Sequence, residues 1–294
     1  MKKILWKRGC VVLGGGILAL SMAGCGKVTS ETLLKSMSEN MSKEKNYKMD
    51  MLMDLQAGGT VQGISLDIKM NLDMGMKINT NPQVVFGEGT ITLDMLGMNQ
   101  NMNMQMYTTK DGDKTVSYTK LDEGDWQKEV SGDIDEMIKS YDFEALQKLA
   151  GNLELAEKTE EVDGVECYAL KGTLDGEALE TMIKSALSIM DSSTNLMGEA
   201  DWAKMDLPVE IYISKKEKKP VKMSMDMKSM MLESMKGSDT GEVDVEFTCD
   251  KCTFDLKFGS FGEVEAITVP DEVVNSAVEK EAAPDTEKET DQVA

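Results

Sequence analysis

Fifteen residues constrain this chain more than any other stretch. From Ile64 to Ile78, Ile64, Leu66, Ile68, Met70, Leu72, Met74, Met76 and Ile78 occupy every even position, while Ser65, Asp67, Lys69, Asn71, Asp73 and Lys77 fall on odd ones. A helix would scatter these apolar groups around its circumference; a strand puts them all on one face. The segment is therefore a long β-strand with one apolar and one wet side, and the apolar side needs a cover. The same period of two runs through Tyr47, Met49, Met51, Met53 and Leu55, broken only by Leu52. Gly58-Gly59 is read as the turn between the two strands, and Asn79-Thr80-Asn81-Pro82 as the end of the second.

Further strands are expected at 84–86, 90–96, 102–108 and 115–121. Short turns join them, and parallel pairing would need a long crossover, so the sheet is an antiparallel meander. Trp126 closes this set. Helical spacing appears three times: at 30–43, with Ser30 as N-cap and Leu33, Leu34, Met37 and Met41 on one face; from Ile134; and from Glu177 to Met190. Strands return at 164–174, at Val209 to Ile213, and at Val221 to Met227 after a charged turn. Another runs from Val243 through Cys249, where the phase slips by one residue before Cys252, Phe254, Leu256 and Phe258, the mark of a bulge or tight turn. A last strand is expected at 264–269, before Pro270.

Residues 1–24 read as an export signal. Lys2, Lys3, Lys7 and Arg8 precede an apolar run from Val11 to Leu20, too short and too glycine-rich to span a bilayer. Ser21-Met22-Ala23-Gly24-Cys25 resembles a bacterial lipobox. This implies that Cys25 carries acyl chains such as palmitate and becomes the first mature residue of a lipoprotein on the extracytoplasmic face of the cell membrane. Residues 25–29 would be the tether, 30–274 one α+β domain, and 275–294 an acidic disordered tail.

Charge narrows the function. The chain carries −21 overall, and loss of the signal leaves 28 basic against 53 acidic side chains. Such a polyanion is repelled by nucleic acids and by anionic headgroups, so membrane attachment must come from acyl chains. Histidine is absent, which removes imidazole-based catalysis and metal sites. No phosphate loop, nucleophile elbow or paired-carboxylate motif is present, so no catalytic residue and no cofactor is assigned. Acid clusters such as Glu160-Glu161 read as solvated faces. Cys249 and Cys252 form the one CxxC, half of a zinc site at most; among strand residues they read as packing groups or as a local disulfide. Met102, Met104 and Met106 share a strand face and are soft ligands, but the plainer reading is packing.

Methionine occurs 26 times, against 5% aromatics. Two readings stay open: thioethers filling a pliable core, or a deformable apolar cavity that accepts ligands of varied shape.

Asp125-Trp126-Gln127-Lys128, Asp163-Gly164-Val165-Glu166-Cys167-Tyr168, the Lys-rich turn before Pro220 and the close at Ile267-Thr268-Val269-Pro270 follow the lipobox, the short helix and the Met-rich strands. In this order the chain resembles uncharacterised Gram-positive lipoproteins of the LolA/LppX-like superfamily. The resemblance implies a strongly curved antiparallel sheet, an unclosed barrel, with helices covering a concave face that can hold lipid acyl chains. The expected protein is a non-enzymatic binder of a lipid or glycolipid. Met49, Met51, Met53, Ile64, Leu66, Ile68, Met70, Leu72, Met74 and Met76 are its cavity-lining candidates. The alternative is an envelope interaction or stress-related lipoprotein with a filled core and a protein partner.

Overall fold

The computed structural model describes residues 28–61, 64–112, 114–131, 149–174, 206–237 and 245–279. Their frame is a thirteen-stranded sheet that does not close: its order is β13-β6-β5-β4-β3-β2-β1-β12-β11-β10-β9-β7, with β8 paired to β9. Among the described residues every pairing is antiparallel except β13 on β6.

The first strands are long. β1 (Asn46–Val61) pairs with β2 (Ile64–Thr80) over its whole length, and β3 (Gln83–Met95), β4 (Met98–Asp111), β5 (Lys114–Leu121) and β6 (Gln127–Ser131) follow as the expected meander. Two local readings change. Gly58 and Gly59 lie inside β1, and the turn comes after Val61. The segments 84–86 and 90–96 are one strand, because Gly87 and Gly89 are close-packing positions and not breaks. A Cβ on Gly89 would sit 2.1 Å from the Asp73 carbonyl oxygen, so only glycine lets β2 approach.

β7 (Leu153–Leu155), which follows a 3-10 turn at Leu149–Asn152, and β8 (Glu160–Val162) both pair with β9 (Val165–Leu174). β10 (Leu207–Ser214) and β11 (Pro220–Asp226) form the charged hairpin. β12 (Val245–Gly259) returns to β1, joining the late strands to the meander. Its phase slip is a bulge: Gln56 opposes Lys251 and Ala57 opposes Cys249, leaving Asp250 as the extra residue.

Helix α1 (Ser30–Met41) forms as the spacing predicts, with one correction. Thr29 is the N-cap, not Ser30; its hydroxyl accepts from the Thr32 amide at 3.2 Å while the Thr32 hydroxyl accepts from the Thr29 amide at 2.9 Å. Leu33, Leu34, Met37 and Met41 are buried in one cluster with Met49, Leu72, Met74, Met76, Ile78, Ile211 and Met223. The expected helices from Ile134 and Glu177 lie outside the described residues, as do the signal, Cys25 and most of the tail. A helix not anticipated, α2 (Lys228–Gly237), packs against β12 and buries Met230.

The C-terminal end differs too. Residues 264–269 form no strand, although Val264 is anchored through its amide to Asn46 Oδ1 at 2.9 Å. Order continues past 274: the short helix α3 (Asp271–Ser276) is followed by β13 (Val278–Glu279) on β6, so the first residues assigned to the tail belong to the domain. Val273 and Ala277 there cover Val116, Tyr118, Tyr107 and Trp126, and Tyr107 also stacks on Phe86 at 4.8 Å. This patch uses the odd positions of β4, opposite the methionine face.

Candidate functional site

Register turns the alternation of single strands into rows that cross the sheet. Met51 and Met74 are partners, Met74 opposes Gly89, and Gly89 opposes Met104; on the other side Met51 opposes Leu256, then Met223 and Ile211. The next row runs Val209, Met225, Phe254, Met53, Leu72, Ile91 and Met102. A third joins Cys252, Leu55, Met70 and Leu93, and a fourth joins Cys249, Ala57, Ile68 and Met95. Each row lies about 7 Å beyond the last, since side chains return to one face every second residue.

Burial divides this face. Met49, Leu72, Met74, Met76 and Ile78 are buried, sharing the cluster that α1 enters. Met51, Met53, Ile91, Met102 and Met104 are half-buried, as are Leu66, Ile68, Met70 and Leu93. Of Ile64 the structure gives the strand position alone, opposite Val61. The ten candidates therefore share one face without sharing one environment: Met49, Leu72, Met74 and Met76 are core, Met51 and Met53 are half-buried against that core, Met70 is half-buried against the cluster of Leu55, Ala57, Cys249 and Cys252, and Leu66 and Ile68 are half-buried.

Sequence reasoning missed the partners from β3, β4 and β10 to β12. Their own alternation was readable, but which strand lies beside which is settled by the return of β12 to β1, nearly two hundred residues later.

The face is electrically quiet. Among the described residues no charged side chain is buried; the buried polar ones are Ser38, Asn79, Thr108, Thr115 and Ser214. Charges such as Asp54 and Lys251, 2.6 Å apart, sit on the other side of the strands. Among the described residues no three His, Cys, Asp or Glu side chains converge as a metal site.

The bulge brings Cys249 and Cys252 to the same face, beside Leu55 and Ala57 and under Met227, Met231 and Leu232. The disulfide considered for them is not formed here: both are free thiols. Burial pushes the Cys252 thiol up to about 12, with the neighbouring Cys249 adding to it, so neither has the low-pKa thiolate of a redox catalyst. Cys167 is fully buried on the opposite side of the sheet, with Ala169 and Tyr212, as a small packing group.

No helix among the described residues is long and apolar enough to cross a membrane. A model of a family of unknown function, DUF6612, matches residues 29–278. No curated protein matches the chain. Among solved structures it is similar to the Mycobacterium tuberculosis lipoprotein LppX, at 15% identity and a TM-score of 0.44, covering 81% of this chain and 98% of that one. LprF from Mycobacterium bovis gives 13% identity and a TM-score of 0.43, covering 82% and 96%. A DUF1329 family protein from Desulfovibrio piger gives 12% and 0.21, covering 83% and 94%.

Proposed function

We propose a function for this chain, which belongs to the family of unknown function DUF6612: it is a non-enzymatic lipoprotein that holds a lipid or glycolipid against its methionine-rich face. The lining is the half-buried part of that face, with Met51, Met53, Leu66, Ile68 and Met70 at its centre, and the tether is an acylated Cys25 on the extracytoplasmic side of the cell membrane. The observation that carries the reading is the continuity of the rows. Apolar side chains run without a charge from Val209 on β10 to Met102 on β4, and along that row Met53, Ile91 and Met102 are half-buried.

A hydrocarbon chain suits such a surface. Each methylene taken from water gains about 0.8 kcal/mol, so affinity accumulates along the chain without a polar anchor. Unbranched thioethers adapt to chains of different length and branching. No proton transfer or nucleophile is called for, in keeping with the absence of histidine.

The test is native mass spectrometry and lipid extraction of the protein purified from bacterial membranes. The wild type should carry co-purifying lipid in addition to its own acyl chains. Ile68→Glu combined with Met70→Glu, which puts two carboxylates on the half-buried rows, should reduce that lipid at least about tenfold while the circular-dichroism spectrum stays that of a folded sheet. Wild-type protein free of extra lipid, or a double variant that retains it, would refute the reading.

A further inference from the structure

The apolar face does not stop at the edge of the sheet; it runs out through the tip of one hairpin. Met95, which opposes Ile68 on β2, is also the partner of Met98 across the β3–β4 turn. Leu96 and Gly97 form that turn, both with positive φ (55° and 76°), the two-residue geometry that matches the twist of a hairpin. Met95, Leu96 and Met98 are 39%, 56% and 60% exposed. The hairpin is uncovered on one side: β5 ends at Leu121, opposite Met104, and the Asp122 amide still bonds the Asn103 carbonyl, so residues 98–102 of β4 run past it, while on the other side β2 continues beyond Ile68 to Ile64. Leu121 is itself 47% exposed.

Charge sets this tip apart. Between Asp94 and Lys110 lie fifteen consecutive residues without a charge, in a chain where 29% of residues are charged. The odd positions of β4 near the tip, Asn99, Asn101 and Asn103, are uncharged amides; the carboxylates beside them are those of Asp94, opposite Asn99, and Asp122, which accepts from the Asn103 amide at 2.8 Å. Asp111 to Lys114 between β4 and β5 and Lys215 to Lys219 between β10 and β11 are charged turns, and the uncharged turns between β1 and β2 and between β2 and β3 lie in shorter uncharged runs, residues 55–66 and 78–87. On so acidic a protein, a turn with no carboxylate of its own meets less repulsion from a bilayer with anionic lipid than the charged turns do.

We propose that the β3–β4 hairpin tip, Met95 to Met98, dips into the headgroup boundary of a lipid bilayer, bringing the end of the apolar face into contact with the membrane. A protein partner fits less well. The tip is far smaller than the roughly 800 Å² per side of a stable protein interface, and it has none of the Trp, Tyr or Arg anchors that dominate such interfaces. The docking extends the proposed function by giving the ligand a route between membrane and protein, but it stands on its own observations.

The chain from Gly26 onward contains every described element and lacks the acylation site, so its binding to vesicles reports on the protein surface alone. In flotation with phosphatidylcholine vesicles, and with vesicles containing about 30% phosphatidylglycerol, this chain should partition onto both. Leu96→Asp combined with Met98→Asp should reduce partitioning at least about tenfold. Val130→Asp combined with Val165→Asp adds the same charge at exposed apolar positions elsewhere and should leave binding unchanged. Leu96→Trp should be quenched by lipids brominated in the upper acyl chain. Equal binding by the tip variant and wild type, equal loss in the control pair, or an unquenched Leu96→Trp overturns the proposal. So does a size-exclusion shift showing that the tip variant merely dissolves a dimer. Lipid content by mass spectrometry separates the two ideas: a tip variant that fails on vesicles but keeps its lipid supports docking, whereas a chain that floats normally and carries no lipid disproves only the binding function.

Discussion

Tyr47 shows how a single residue reads the quality of the core. It is the second residue of β1, is 6% exposed, and packs its ring against Phe258 and Phe261 with centroids 6.5 Å and 6.1 Å away. Burial disfavours the phenolate and pushes its pKa up to about 12, from 10 in an unfolded chain. The folded state therefore holds the proton more tightly. The associated stability is complete below pH 10 and is lost as pH rises through 12, about 2–3 kcal/mol in all. Unfolding free energies between pH 9 and 12 should fall more steeply in the wild type than in Tyr47→Phe; parallel curves would mean that this hydroxyl is solvated. Gly172 belongs to the same scale. A Cβ there would lie 1.9 Å from the Asn152 carbonyl oxygen, which explains a glycine in the middle of β9. Neither the depth of Tyr47 nor the approach at Gly172 has a sequence signal, because each depends on a neighbour distant in the chain or on another strand.

At the scale of elements, α1 buries one of its faces in the main core cluster. Its amphipathic face was legible, and its start was displaced by one residue because Thr29 and Ser30 are both good caps; the reciprocal bonds between Thr29 and Thr32 decide it. The Lys219–Glu44 pair at 2.8 Å and the bond from Asn40 Nδ2 to the Glu217 carbonyl at 3.0 Å then fasten the end of α1 to the β10–β11 hairpin. Thr29→Ala should lower stability by about 1 kcal/mol, read by denaturant titration, whereas Ser30→Ala should change it by only a few tenths. The reverse order would return the cap to Ser30. The β12 bulge was equally legible, since a one-residue slip between Cys249 and Cys252 admits few alternatives. Helix α2 was not: Met230, Met231 and Leu232 follow a methionine-rich strand, and their apolar content alone does not distinguish its continuation from a helix.

At the scale of the whole molecule, the tether and the face make separate claims. The lipobox reading assigns membrane attachment to Cys25, because an acidic chain has no electrostatic hold on anionic lipid. Cys25→Ser, expressed with its signal in a Gram-positive host, should move the protein from the membrane to the medium and abolish the acyl mass increment on residue 25. Continued membrane retention would assign the attachment elsewhere in the chain. The hairpin tip alone should not compensate, since a few exposed apolar groups bind far more weakly than two or three acyl chains.

The alternation of apolar residues determined by itself that the chain makes long strands with one oily face, and short turns made the early ones antiparallel. These are local properties, set by the two-residue period of an extended backbone. Which face meets which required the tertiary structure. Pairing of β12 with β1 places Phe254 and Leu256 beside Met53 and Met51, and Met49, Met74 and Met76 are buried in the cluster that holds the apolar residues of α1 while Ile68 and Met70 stay half-buried. Identical alternation thus yields buried methionines at one end of β2 and half-buried ones at the other, because burial depends on what the rest of the chain lays over a strand and not on the strand's own pattern.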